Sequence, residues 1–217
     1  MLQRLLALLF PPKCILCKQL LTADQLDLFH DCRQHTEQFR KPNFKIPFVA
    51  GWTSLWYYKD NVRSSILRYK FYGRRHYANA YSRLLAMHLQ VKGWDDCDCI
   101  TWVPISARRR RKRGFDQSEL LAKAMAAELG LPAVALLKKI RHTKPQALIT
   151  GAPQRRANIL GAFRVTDPAL VRDRRILLID DVITTGSTAS ECAKMLTFSG
   201  AAQIRCASIA AADNTKK

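Results

Sequence analysis

No stretch of this 217-residue sequence is apolar for long enough to cross a bilayer. The longest apolar run near the start, Leu5 to Phe10, falls far short of the ~20 residues that a span needs. It is also short for the core of a secretory signal, and Pro11-Pro12 follow it without a small-residue cleavage site. The expected location is therefore the cytoplasm. Even pairing of cysteines is missing too: there are seven, unevenly placed, with three in the first 32 residues, which is not the pattern of a secreted disulfide scaffold. No internal repeat is present, and no low-complexity stretch beyond one run of arginines. Acidic residues are scarce, 17 against 36 Lys and Arg, for a net charge of +19. That excess says nothing about fold but predicts attraction to polyanions: nucleic acid, phosphorylated substrates or an anionic membrane surface. The charge is spread through segments rich in Leu, Ile, Val and aromatics, which excludes a disordered basic tail.

The organisation splits near residue 48. Residues 1–48 read as a separate module, with Cys14, Cys17, Cys32, His30 and His35, little long-range periodicity, and a short amphipathic helix expected over Met1–Phe10. Residues 49–217 alternate strand and helix signals. Strands are expected at Val49–Tyr58, Cys99–Val103, Ala133–Leu137, Arg175–Ile179 and Ile204–Ala210. Helices are expected at Val62–Tyr72, Tyr77–Lys92, from Asp116 to about Leu129, and Thr188–Ser199. Asp116 with Glu119 forms a capping box, and Gly130 and Gly200 are stop signals. The six basic residues Arg108–Arg113 and the stretch Lys138–Arg164, which has seven Lys or Arg and no acid, read as loops. Such alternation predicts a doubly wound parallel α/β sheet.

One segment carries most of the chemistry. Ile176-Leu177-Leu178-Ile179 is a buried-type strand that runs into Asp180-Asp181 and then Val182-Ile183-Thr184-Thr185-Gly186-Ser187-Thr188, opening a helix. Two carboxylates at a strand's carboxyl end can accept hydrogen bonds from the two hydroxyls of a ribose. The Thr and Ser hydroxyls, the close approach at Gly186 and the N–H groups of a helix start suit a phosphate. Ligands of open α/β sheets bind at that edge. The segment reads as a ribose-5-phosphate cradle, not as an Asp-rich turn with a Thr cap.

A second constellation is Cys14-x2-Cys17, fourteen residues, then Cys32-x2-His35. Two short pairs at hairpin distance suit a tetrahedral Zn²⁺, and reduced thiols remain available to it. His30 is a near neighbour that could replace His35 as the fourth ligand, but its position breaks the two-residue gap. Cys97 and Cys99 lack partners, and Cys192 and Cys206 read as core.

The strand–loop–helix segment resembles the PRPP-binding motif of type I phosphoribosyltransferases. By that resemblance Asp180 and Asp181 face the ribose and act in catalysis, Val182 and Ile183 flank them, and Thr184 to Thr188 wrap the 5-phosphate. Ser106 and Arg108 then belong to the pyrophosphate loop, with Mg²⁺ on the pyrophosphate. Together with the zinc module, the strings Val103-Pro104, Arg113-Gly114-Phe115-Asp116-Gln117, Lys70-Phe71-Tyr72-Gly73, and Gln146 with Arg155, Asn158 and Gly161-Ala162-Phe163 resemble the ComF family of competence proteins along essentially the whole chain. The chain departs from many members, which carry further Cys pairs in the zinc ribbon. The resemblance implies natural transformation, on the cytoplasmic side of the inner membrane, alongside other DNA-uptake proteins as single-stranded DNA enters.

Charge bears on that implication. Arg108, Arg109, Arg110, Arg111, Lys112 and Arg113, with Arg155 and Arg156 in the second basic stretch, are the candidate contacts to a phosphodiester backbone. Aromatics between Trp52 and Tyr72 alternate with basic residues and offer stacking surfaces if exposed, although Trp52 and Trp56 read as core. A nucleotide-salvage transferase using PRPP and an unidentified acceptor is the alternative, with Lys144–Arg156 as its mobile loop. A regulator binding duplex DNA is disfavoured by the lack of a helix-turn-helix pattern.

Overall fold

The computed structural model describes residues 11–144 and 148–213. The helix expected over Met1–Phe10, and Gln146, lie outside them. Four parallel strands, β1 (Gly51–Tyr57), β2 (Cys99–Trp102), β5 (Arg175–Ile183) and β6 (Gln203–Ala211), form one sheet in the order β1-β6-β5-β2. Two short strands, β3 (Leu137–Lys139) and β4 (Phe163–Val165), pair antiparallel beside it. The sheet is the parallel α/β type predicted, and its centre is apolar on both faces because helices cover both.

Strand β5 shows the period-two logic directly. Leu177 and Ile179 join one buried cluster, with Ile66 and Tyr69 of helix α2 (Asp60–Phe71), Tyr81, Leu85 and Leu89 of α3 (Tyr77–Val91), and Leu121 and Met125 of α5 (Gln117–Leu129). Ile176 and Leu178 join the other, with Leu137, Phe163, and Ala189, Cys192 and Leu196 of α7 (Ser187–Phe198).

The N-terminal residues contribute to both clusters. Cys14, Ile15, Leu16 and Leu28 are buried in the first, and Phe39 and Ile46 in the second. Arg68 fastens the first group by donating to the Ile15 and Leu16 carbonyls at 2.8 and 2.6 Å, and Arg83 grips Asp27. Phe39 N–H donates to Leu55 O, so this segment lies along β1.

Two expectations need correction. The Arg108–Arg113 run is not a loop but a helix, α4 (Ala107–Arg113). Ser106 caps its start by accepting from Arg109 N–H, and Gly114 at φ 77° ends it, which outweighs the repulsion among like charges. Lys138–Arg164 has the loop segments expected, but it also contributes to β3 and β4 and contains helix α6 (Ala152–Ile159), with Pro153 in its first turn. The strand expected at Ala133–Leu137 is displaced toward the chain's C-terminus, leaving Ala133 as a single bridge to Ile100.

Candidate functional site

A cavity of about 830 Å³ opens at the carboxyl ends of β2 and β5. Every residue from Asp180 to Ala189 lines it, so the strand, the two carboxylates and the small-residue loop meet one space. The local reason is that β5 ends at Ile183 and Gly186, at φ 70°, turns the chain into α7. A Cβ at Gly186 would sit 2.7 Å from Ile46 Cγ1 and 3.1 Å from Phe44 Cε2, so a side chain there is opposed by both backbone conformation and packing. Thr185 and Ser187 hydroxyls lie 2.9 Å apart within the turn.

The two carboxylates differ. Asp181 Oδ1 accepts from Lys70 Nζ at 2.8 Å, each side chain only 16% exposed. Asp180 Oδ1 accepts from Asp181 N–H at 2.8 Å and from the Ser118 hydroxyl at 3.3 Å. Burial, and after it the adjacent Asp181 charge, push the Asp180 carboxyl up to about 8. Seven basic side chains also line the cavity: Lys70, Arg108, Arg109, Lys112, Arg113, Lys139 and Arg155. Asp180 and Asp181 are the only carboxylates among its described lining residues. Positive charge exceeds negative in the lining, and it favours an anion at the α4 side, away from the two carboxylates. Burial lowers Arg109, and burial with the Arg109 charge lowers Lys139 to about 8.

Helix α4 divides by face. Arg108, Arg109, Lys112 and Arg113 reach the cavity, whereas Arg110 and Arg111 do not line it, and Arg110 pairs with Glu119 at 2.9 Å. Arg155 lines the cavity and donates to Ile149 O; Arg156 is exposed outside it. Ser106 does not line the cavity. It is buried beneath α4, capping it and lying 3.0 Å from His142 Nδ1.

Sequence reasoning missed Lys139 and His142 as lining residues, and gave Lys70 no role beyond its string. Lys139 and His142 enter from the β3 end, and partial desolvation followed by the Arg108, Arg109 and Lys139 charges lower the His142 imidazole. The available signal for Lys70 was its place at the end of an amphipathic helix, beside Phe71 and Gly73, which also line the cavity.

The second candidate centre lies apart from the cavity. Cys14, Cys17 and Cys32 place their sulfurs within 4.8 Å of one another. Burial, then the Cys17 and Cys14 sulfurs, push the Cys32 thiol up to about 12, because like charges so close oppose one another. Three sulfurs at that spacing fit a Zn²⁺, whose charge would reverse the effect. His35 does not join the sulfur group. It is exposed on α1 (His30–His35), with Nδ1 3.1 Å from Asp31 O.

A family profile described as a phosphoribosyl transferase domain matches residues 116–217. The chain is 35% identical over 153 residues to the DNA utilization protein YhgH of Escherichia coli (strain K12), covering 68% of this chain and 66% of that one. It is 34% identical over 113 residues to competence protein F of Haemophilus influenzae, covering 50% of this chain and 48% of that one. The chain is a relative of the ComF competence proteins. Competence protein ComFC of Bacillus subtilis also matches, at 26% identity over 151 residues, with 69% and 59% covered. In these ComF relatives and the YhgH proteins the match spans between about half and two thirds of the relative's length. Among solved structures, the glutamine phosphoribosylpyrophosphate amidotransferase of B. subtilis aligns with TM-score 0.43 at 21% identity, covering 64% of this chain and 30% of that one. No helix among the described residues is long and apolar enough to cross a membrane.

Proposed function

We propose that this ComF relative binds a 5-phosphoribosyl diphosphate in its cavity and single-stranded DNA on the basic surface around it, and that it acts in DNA uptake on the cytoplasmic side of the membrane. The observation that carries the ligand assignment is the shared cavity: Asp180, Asp181 and the Thr184–Thr188 loop line it together with the α4 arginines. The ribose hydroxyls meet the carboxylates, the 5-phosphate takes the loop at the start of α7, and the diphosphate lies toward Arg108, Arg109 and Lys112. A Mg²⁺ arriving with the diphosphate would be held near Asp180 and Asp181 and would neutralise phosphate charge. The DNA assignment is supported by the names of the relatives and by the +19 net charge, which exceeds what one diphosphate uses.

At the N-terminal centre, Cys14, Cys17 and Cys32 hold a structural zinc. His35 lies outside the sulfur group in this structure, so its service as the fourth ligand would require its ring to turn toward the three sulfurs.

Calorimetry with PRPP and Mg²⁺ tests the ligand. The Asp180→Ala/Asp181→Ala double variant should lose at least about tenfold in affinity, as the ribose hydroxyls lose their acceptors. Equal affinity in wild type and variant would overturn the assignment.

A further inference from the structure

The aromatic residues interleaved with basic ones between Trp52 and Tyr72 separate sharply by exposure. Trp52, Trp56 and Tyr69 are buried, whereas Phe71 is 56% and Tyr72 73% exposed. All six residues of Phe71-Tyr72-Gly73-Arg74-Arg75-His76 are exposed, so the turn between α2 and α3 presents two aromatic rings and two guanidinium groups to solvent. Ordinary surface turns hide such rings or omit them.

Two contacts set this turn against the arginine helix. The Arg113 guanidinium stacks 4.6 Å from the centre of the Phe71 ring, and its Nη1 donates to Gln117 Oε1 at 2.7 Å, which fixes it. Arg75 lies 4.8 Å from the Phe115 ring centre and packs over Gly114 at the end of α4. Phe71 has the Arg113 cation over its ring and more than half of its surface open to solvent, and it also lines the cavity. Aromatic ledge and basic helix form one continuous surface running to the cavity mouth.

We propose that Phe71 and Tyr72 are the base-stacking ledge of the single-stranded DNA path, resting on the single-strand binding proposed above. Bases of an unpaired strand lie on the two rings while its phosphates follow Arg74, Arg75 and the α4 side chains. The match is one of chemistry: stacking surface and positive charge side by side, without a pattern of donors to read base edges, suit unpaired nucleotides of any sequence. A duplex cannot use the ledge, because its bases already stack on one another.

The experiment compares binding of a fluorescent oligothymidylate and an abasic deoxyribose-phosphate oligomer of equal length. The proteins are wild type, Phe71→Leu/Tyr72→Leu and Phe71→Trp. Wild type should prefer the base-bearing strand by about tenfold or more, the range of one or two base–aromatic stacks. The double leucine variant should bind both oligomers with the wild-type abasic affinity and an unchanged salt slope, and Phe71→Trp should keep the preference. Both rings are exposed, so an unchanged melting temperature confirms folding. A wild type that binds both oligomers equally, or a leucine variant that keeps the preference, would overturn the ledge while leaving single-strand binding intact. A wild type that binds neither would overturn the single-strand reading and the ledge with it.

Discussion

Lys70 Nζ donates to Asp181 Oδ1 at 2.8 Å, joining the end of helix α2 to strand β5 across 111 residues of sequence. Both side chains are largely buried, so the pair is more than a surface ion pair. Replacing Lys70 by Met leaves two neighbouring carboxylates without their nearest cation. We expect Lys70→Met to lose roughly 1–3 kcal/mol of stability in urea unfolding at pH 7. Lys70→Arg should recover part of the loss. A Lys70→Met variant as stable as wild type would show that the pair contributes nothing net.

Asp180 gives a pH dependence of defined sign. Its carboxyl sits at about 8 in the folded chain and near ~3.9 when unfolded. Between those values the folded state binds the extra proton, so stability falls as pH rises from about 4 to 8. Asp180→Asn keeps an acceptor for Ser118 and removes the charge. The variant should gain at least ~1 kcal/mol over wild type at pH 8 relative to pH 5, while binding PRPP more weakly. Melting temperatures across that range check the slope; parallel curves for the two proteins would contradict it.

Zinc removal should reach beyond the cysteines. Because Arg68 of α2 holds the Ile15 and Leu16 carbonyls, loosening of the Cys14–Cys17 turn frees a part-buried guanidinium as well. Elemental analysis should find one zinc per chain. Chelation should lower the melting temperature by several degrees and raise hydrogen exchange in both residues 13–36 and α2. His35→Ala should retain zinc with weaker affinity; unchanged affinity would remove His35 from the ligand set. Protection of α2 that survives chelation would show the two regions to be independent.

What the sequence disclosed followed contiguity. The Asp180–Thr188 loop was legible because strand, acids and phosphate turn are consecutive, and β5 because burial on both faces writes the apolar run Ile176–Ile179. The arginine helix was not, since six like charges suggest repulsion; its signals were the cap at Ser106 and the glycine at 114. Lys139 and His142 depend on Leu137–Lys139 pairing with Phe163–Val165, two three-residue strands too short to announce themselves. Lys70 needed a partner 111 positions away, a distance over which side-chain pattern carries no information. The three cysteines were legible from spacing alone, whereas the placement of His35 away from the sulfurs was not.

The strand order β1-β6-β5-β2 has a consequence for how the chain comes into being. β1 is complete by Tyr57, yet its only neighbour within the sheet, β6, begins at Gln203. At ~5–20 residues per second of synthesis, β1 waits roughly 8–30 s for that neighbour. Throughout that interval Trp52 and Trp56 have no neighbouring strand to pair beside, and the loop that would cradle a phosphate is made only near its end. The newborn chain must be shielded from its own apolar strand until translation is nearly finished. Ribosome-stalled chains ending before β6 should accordingly need chaperones to stay soluble.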